Sequence, residues 1–177
     1  MVAVVASVVL CASSSFAAPK NGFGFNAGLA SHDMQADMKY GGGTLTYSSS
    51  GLSLGIDYQI ALSDTLSLNP FFMTSGESAS GDTASGTSAG HGILGLQLRY
   101  WMNDVFIGGH VASYSEVLSD AIASTSASGS GFGLVAGWEQ PKGGLFVMGQ
   151  LDKATIAYSD ADVDMTGFRL SVGYRWK

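Results

Sequence analysis

The sequence predicts an all-β fold, a single antiparallel up-and-down transmembrane β-barrel of about eight strands. Three observations predict it. Side chains alternate with period two from Asn21 onward, tight turns preserve that alternation, and the second face of each strand is built of small and neutral polar residues.

The first strand, about Asn21 to Ser31, sets Phe23, Phe25, Ala27 and Leu29 against Gly22, Gly24, Asn26 and Gly28. The second, about Gly51 to Leu62, sets Leu52, Leu54, Ile56, Tyr58 and Ile60 against Ser53, Gly55, Asp57 and Gln59. The third, about Leu66 to Thr74, carries Leu66, Leu68, Pro70 and Phe72 on one face. Strand four, about His91 to Met102, sets Leu94, Leu96, Leu98 and Tyr100 against Gly95, Gln97, Arg99 and Trp101. Strand five, about Val105 to Tyr114, turns Val105, Ile107 and Val111 outward and Phe106, Gly108 and His110 inward. Strand six, about Gly131 to Trp138, alternates Phe132, Leu134, Ala136 and Trp138 with Gly131, Gly133, Val135 and Gly137. Strand seven begins at Leu145, with Val147, Gly149 and Leu151 outward. Ile156 and Tyr158 have the opposite parity, so a bulge near Gln150 to Lys153 is expected. Strand eight turns Thr166, Phe168, Leu170, Val172, Tyr174 and Trp176 one way and Gly167, Arg169, Ser171, Gly173 and Arg175 the other.

Because a one-residue slip inverts both faces, the turns test the assignment. Pairing Leu62 with Leu66, Met102 with Val105 over Asn103-Asp104, and Trp138 with Leu145 keeps outward residues beside outward ones. These short turns alternate with longer connections, about Ser31 to Ser50, Ser75 to Gly90 and Ser115 to Ser130, with a shorter one near Ser159 to Asp162. The long ones are rich in Ser, Gly, Ala and Thr and read as mobile, solvated loops. Short periplasmic turns and longer external loops are the asymmetry of outer-membrane barrels, which puts both termini in the periplasm.

Composition narrows the environment. Hydrophobic residues make up 46% and charged residues 12% of 177, about half the charged share usual for a soluble domain. A water-facing second face would carry Lys, Glu and Thr, whereas this one is chiefly Gly, Ser, Asn and Gln. Tyr58, Tyr100, Trp138, Tyr174 and Trp176 lie near turn-proximal strand ends, as an interfacial girdle requires. A net charge of −6 with scattered Lys and Arg excludes nucleic acid as a partner. Residues 1–17 read as a signal peptide: the apolar run of Val2, Val4, Val5, Val8, Val9 and Leu10 leads to small residues before a cut after Ala17. Residues 18–177 form the barrel domain. The one cysteine, Cys11, would leave with the signal. After residue 18 no apolar run approaches the roughly 18 residues a membrane helix needs, so spanning requires a closed barrel.

The last strand ends Phe168-Arg-Leu-Ser-Val-Gly-Tyr-Arg-Trp176-Lys177. With that ending and this architecture, the mature chain resembles the family of small eight-stranded outer-membrane barrels that includes the OmpA transmembrane domain and OmpX. The resemblance implies that Phe168, Leu170, Val172, Tyr174 and Trp176 form the signal read by the outer-membrane assembly machinery. It also implies an enzymatic alternative, since some barrels of this size remove acyl chains from lipid A with His and Ser two residues apart on one strand. His110 and Ser113 are three apart and face opposite ways, and Ser31 and His32 are adjacent, so no catalytic residues are expected.

A barrel of this size is just wide enough for side chains to fill it. The expected lumen network is Asp57, Gln97, Arg99, His110, Arg169 and Arg175, with Asp152 as a further charge and Gln59, Asn69 and Gln150 as neutral partners. Paired charges in so confined a space read as a plug rather than a gate. Asp160, Asp162 and Asp164 read as a hydrated acidic run rather than a calcium loop, and His32, His91 and His110 are too dispersed along the chain to predict a metal site. No metal or cofactor is expected.

The functional expectation is a monomeric integral protein of the Gram-negative outer membrane with a structural or surface-interaction role. Its partners are membrane lipid, lipopolysaccharide, the assembly machinery, and host or surface ligands reached through the loops. A narrow channel or transporter for small or hydrophobic solutes is the alternative.

Overall fold

The computed structural model describes residues 19–40, 43–81, 87–119, 124–141 and 144–177. The expected signal peptide, residues 1–17, lies outside the described residues. Eight strands follow one another: β1 (Gly22–Met38), β2 (Thr44–Ala61), β3 (Leu66–Gly81), β4 (Ser88–Met102), β5 (Val105–Ser119), β6 (Ser124–Glu139), β7 (Gly144–Ala157) and β8 (Ala161–Trp176). Each pairs antiparallel with its sequence neighbours, and β8 pairs back onto β1. The sheet is therefore a closed up-and-down barrel with no free edge, which leaves no strand of unpaired backbone to face lipid.

The turn end of the barrel follows the chain's own chemistry. Ile60 faces Leu68 across the β2–β3 turn, where Leu62 N–H donates to Leu66 C=O at 2.9 Å. Met102 faces Val105 across Asn103-Asp104, and Gln97 faces His110 and Arg99 faces Gly108 as the turn predicts. Asn103 adopts φ 62°, a left-handed conformation that asparagine tolerates better than most residues. At the β6–β7 turn the predicted pairing is shifted by two: Trp138 faces Val147 rather than Leu145, and Glu139 faces Phe146. A two-residue shift leaves both faces intact, so alternation alone does not detect it.

The strands are longer than the alternation of apolar residues suggests. They run from 14 residues in β7 to 18 in β2, against the roughly 9–11 that a tilted strand needs to cross a membrane. Most of the expected long loops are therefore strand. His32 to Asp37 pair in register with Ser49 to Thr44, Ser75 to Ser78 with His91 to Ser88, and Ser115 to Ser119 with Ser128 to Ser124.

The added length forms a second storey with inverted polarity. In the lower storey the outer face is apolar; on β8 it runs from Phe168 to Trp176 as Phe, Leu, Val, Tyr and Trp, all exposed. Above Thr166 the same face carries Asp164 and Asp162, while Met165, Val163 and Ala161 turn inward and are buried. β1 changes likewise, with Asp33, Gln35 and Asp37 outside and Met34 and Ala36 inside. The inversion also removes the expected bulge in β7. That strand alternates without interruption, Lys153 and Thr155 point outward, and Ile156 is fully buried in the upper core. Ile156 belongs to the largely apolar interior of the upper storey, where the exterior is polar, so its parity needs no correction.

This division makes a measurable claim. Leu134 stands in the middle of the outer belt and is 65% exposed. Leu134→Arg is expected to cost about 2–4 kcal/mol of folding stability. Thr155→Arg, on the polar outer storey, is expected to change it by no more than about 0.5 kcal/mol. Urea unfolding of the barrel in lipid vesicles measures both, and equal costs would contradict the two-storey division.

Candidate functional site: a filled lumen

Inward parity brings polar residues from every strand except β6's glycine-rich middle into one narrow space. Near the turn end, Arg175 of β8 is the hub. Its Nη2 donates to Asp57 Oδ2 at 2.8 Å and its Nε to Glu139 Oε2 at 3.0 Å. Asp57 also lies 3.4 Å from Arg99 Nη2 and accepts from Asn69 Nδ2 at 3.1 Å. Glu139 is shared with Lys177, whose Nζ lies 2.7 Å from its Oε1. The guanidinium groups of Arg99 and Arg175 lie over the Phe106 and Phe146 rings at 4.6 and 5.3 Å, a cation–π contact that strengthens where water is excluded. Trp101 Nε1 donates to Ser67 Oγ at 2.9 Å, satisfying the indole in the same layer.

The middle layer is centred on Asp152. It accepts from Tyr114 OH and Gln150 Nε2, each at 2.9 Å, pairs with Arg169, and has His110 Nε2 at 2.9 Å. The layers are joined: Arg99 Nη2 donates to Gln97 Oε1 at 2.6 Å, and Gln97 Nε2 donates to Gln150 Oε1 at 3.1 Å. Glycines make the crowding possible. Gly133 faces both His110 and Asp152 in the ladder, and a Cβ there would overlap the His110 ring. A Cβ on Gly167 would stand 2.5 Å from His32 Cδ2.

At the boundary of the two storeys, Arg169 Nη2 donates to His32 Nε2 at 2.7 Å, and His32 Nδ1 lies 2.8 Å from Glu77 Oε2. Above them Glu116 accepts from Tyr158 OH at 2.7 Å and from Tyr47 OH at 3.4 Å. One unbroken chain of polar contacts therefore runs from Glu139 through Arg175, Asp57, Arg99, Gln97, Gln150, Asp152 and Arg169 to His32 and Glu77.

All six residues expected in the lumen, Asp57, Gln97, Arg99, His110, Arg169 and Arg175, are buried inside it, at most 5% exposed. The structure adds Glu77, Glu116, Glu139, His32, His91 and Tyr114. Glu77 and His91 share parity with Asn69 and Gln97 on the same strands, and His32 shares parity with Asn26. Continuing the count past the last outward apolar residue finds them. His32 and His91, dispersed in sequence, have ring centroids 4.4 Å apart, because barrel closure brings β1 and β4 to the same side chain of β3. His110 and Ser113 occupy opposite faces, as their spacing predicts, so they cannot exchange a proton. Phe168, Leu170, Val172, Tyr174 and Trp176 all point outward on β8.

No protein-family model matches the sequence, and no curated protein does. Solved structures do. The attachment invasion locus protein Ail of Yersinia pestis aligns with TM-score 0.51 and 14% identity over 89% of this chain and 99% of its own. The same protein in complex with the heparin analogue sucrose octasulfate aligns with TM-score 0.50. Neisserial surface protein A aligns with TM-score 0.50 and 14% identity over 86% and 96%. OprG of Pseudomonas aeruginosa aligns with TM-score 0.51 and 13% identity over 92% and 99%. At such identities the fold is what is shared, and it is the fold of the small eight-stranded outer-membrane β-barrels.

Proposed function

We propose that this chain is an integral outer-membrane protein whose barrel is a plugged anchor and whose polar rim makes surface contacts. The observation that carries this reading is the unbroken polar chain through the lumen. Arg99, Arg169 and Arg175 are each no more than 2% exposed and occupy the space a pore would need. The turn end, with both termini, faces the periplasm in this reading, and the rim faces outward. The outward residues of β8 from Phe168 to Trp176 serve as the assembly signal, and the chain acts as a monomer held by lipid around its belt.

Surface contact falls to the upper storey rather than to long loops. Its outer face carries Asp33, Asp37, Asp162 and Asp164, with Lys39 and Lys153 as the basic residues. Lys39 is tied to Asp162 at 3.0 Å and Thr155 Oγ1 donates to Asp164 at 2.8 Å. An acidic rim selects cationic surfaces, or lipopolysaccharide phosphates bridged by divalent cations. It disfavours sulfated sugars such as the heparin analogue in the Ail complex.

Two outcomes test the plug and one the rim. Purified barrel in planar bilayers is expected to show no large steady conductance; a sustained open pore would favour the channel reading instead. Arg175→Met, which leaves Asp57 and Glu139 without their shared cation, is expected to cost about 3–5 kcal/mol in vesicle unfolding. Immobilised heparin is expected not to retain the folded protein at low salt, and Asp162→Lys with Asp164→Lys is expected to create retention.

A further inference from the structure

The buried carboxylates of the lumen are not treated alike. Asp57, Asp152 and Glu139 each face an arginine, and Glu116 accepts from two tyrosine hydroxyls. Among the described residues Glu77 faces no arginine or lysine. Its contacts are Ser49 Oγ, donating to Oε2 at 2.5 Å, Ser75 Oγ, donating to Oε1 at 2.5 Å, and two histidines. His32 Nδ1 is 2.8 Å and His91 Nε2 3.7 Å from the same carboxylate oxygen. His91 is 3% exposed, and its Nε2 has no hydrogen-bond partner although it is aimed into this cluster. An orphaned imidazole nitrogen beside a carboxylate without a cation is a costly arrangement for the protein alone.

One cation would satisfy both. Two imidazole nitrogens and a carboxylate oxygen are a donor set for zinc-like divalent metals. One donor atom from each of His32, Glu77 and His91 falls within 4.8 Å of the others. Donors around a tetrahedral ion with bonds of about 2.1 Å stand about 3.4 Å apart. The present 2.8 and 3.7 Å separations lie on either side of that value. The two serine hydroxyls are the outer contacts that hold a ligating carboxylate in place. We infer that His32, Glu77 and His91 form a binding site for a divalent transition-metal cation of the Zn2+ type, with a further coordination position left for water or a bound group.

The site is linked to the plug through a proton. Arginine only donates, so His32 Nε2 accepts from Arg169 and the imidazole proton sits on Nδ1, toward Glu77. A metal at Nδ1 takes the place of that proton, which moves to Nε2. There it faces Arg169 Nη2, and the hydrogen bond between the two ends. Arg169 keeps Asp152 through Nη1. Metal occupancy and the His32–Arg169 hydrogen bond therefore exclude each other.

The test uses the full chain folded in detergent and stripped with a chelator, then given Zn2+ or Co2+ alone. Because the ligands are buried, the metal is supplied both during refolding and afterwards. The expected result is one equivalent per chain, with the intense visible absorption of tetrahedral Co2+. His32→Gln, His91→Gln and Glu77→Gln are each expected to weaken binding by at least about tenfold, and Asp64→Asn, in the exposed turn between β2 and β3, to leave it unchanged. Heat-modifiable gel mobility reports whether each variant has folded. Failure of the wild-type chain to bind an equivalent under either protocol overturns the proposal without reference to any variant. Binding that persists undiminished in folded His91→Gln and Glu77→Gln overturns it as well.

Discussion

The structure depends on a cross-section too narrow to hold unpaired charge and too polar to be left dry of partners. Arg99 and Arg175 are tied to acceptors on strands that are not their ladder neighbours, whereas Arg169 of β8 holds Asp152 and His32 on the strands to either side of it. Arg99 of β4 reaches Asp57 of β2, and Arg175 of β8 reaches both Asp57 of β2 and Glu139 of β6. Backbone ladders fix each strand to the next, while these ties join next-but-one strands through the lumen. Charged pairs taken out of water are close to break-even in stability, because desolvation offsets most of their attraction. Their consequence is shape: removing Asp152, for example, leaves Arg169 buried without a counter-charge, so the lumen favours one arrangement over a loosely filled tube.

That constraint applies only where lipid surrounds the barrel. In the lower storey the outside must be apolar, so polar groups have only the lumen to occupy, and glycines such as Gly133 and Gly167 are needed where two rings or a ring and a carboxylate meet. Above the belt water can solvate the outside, and the interior becomes largely apolar, with Met34, Met165, Val163 and Ile156 around the buried Glu116 and its two tyrosines. The His32, Glu77 and His91 cluster sits at the changeover. It is the level at which the polar chain ends and the apolar core begins, which is why its carboxylate lies beyond reach of the arginines that neutralise the others.

Alternation made the lower storey legible from sequence alone. Phe168, Leu170 and Val172 against Arg169, Ser171 and Arg175 assign both faces of β8, and three turn chemistries assign the parity of six strands. The upper storey was hidden by the same criterion. A reading that follows outward apolar residues stops where they stop, near Ser31 on β1 and Thr74 on β3, and takes the polar remainder for loop. Parity continues through those points: Glu77 is inward because Asn69 and Met73 are. The proximity of His32 to His91 was beyond any pattern within a strand, since it depends on barrel closure and on how far the strands are sheared past one another.

Parity also leaves register undetermined in steps of two, and the β6–β7 hairpin shows what chooses among the steps. With Trp138 beside Leu145, every outward residue would still meet an outward residue. With Trp138 beside Val147, Asp152 comes opposite Gly133, which itself faces His110. Only then does the carboxylate lie 2.9 Å from His110 with Gln150 reaching Gln97 at 3.1 Å. Two residues of slip displace a strand by roughly 6.6 Å, more than twice the length of a hydrogen bond, so the alternative would strand Asp152 and Gln150 together. The apolar belt is indifferent to such a slip because lipid accepts any apolar side chain at any height. The polar lumen is not, and register in this barrel is set from the inside.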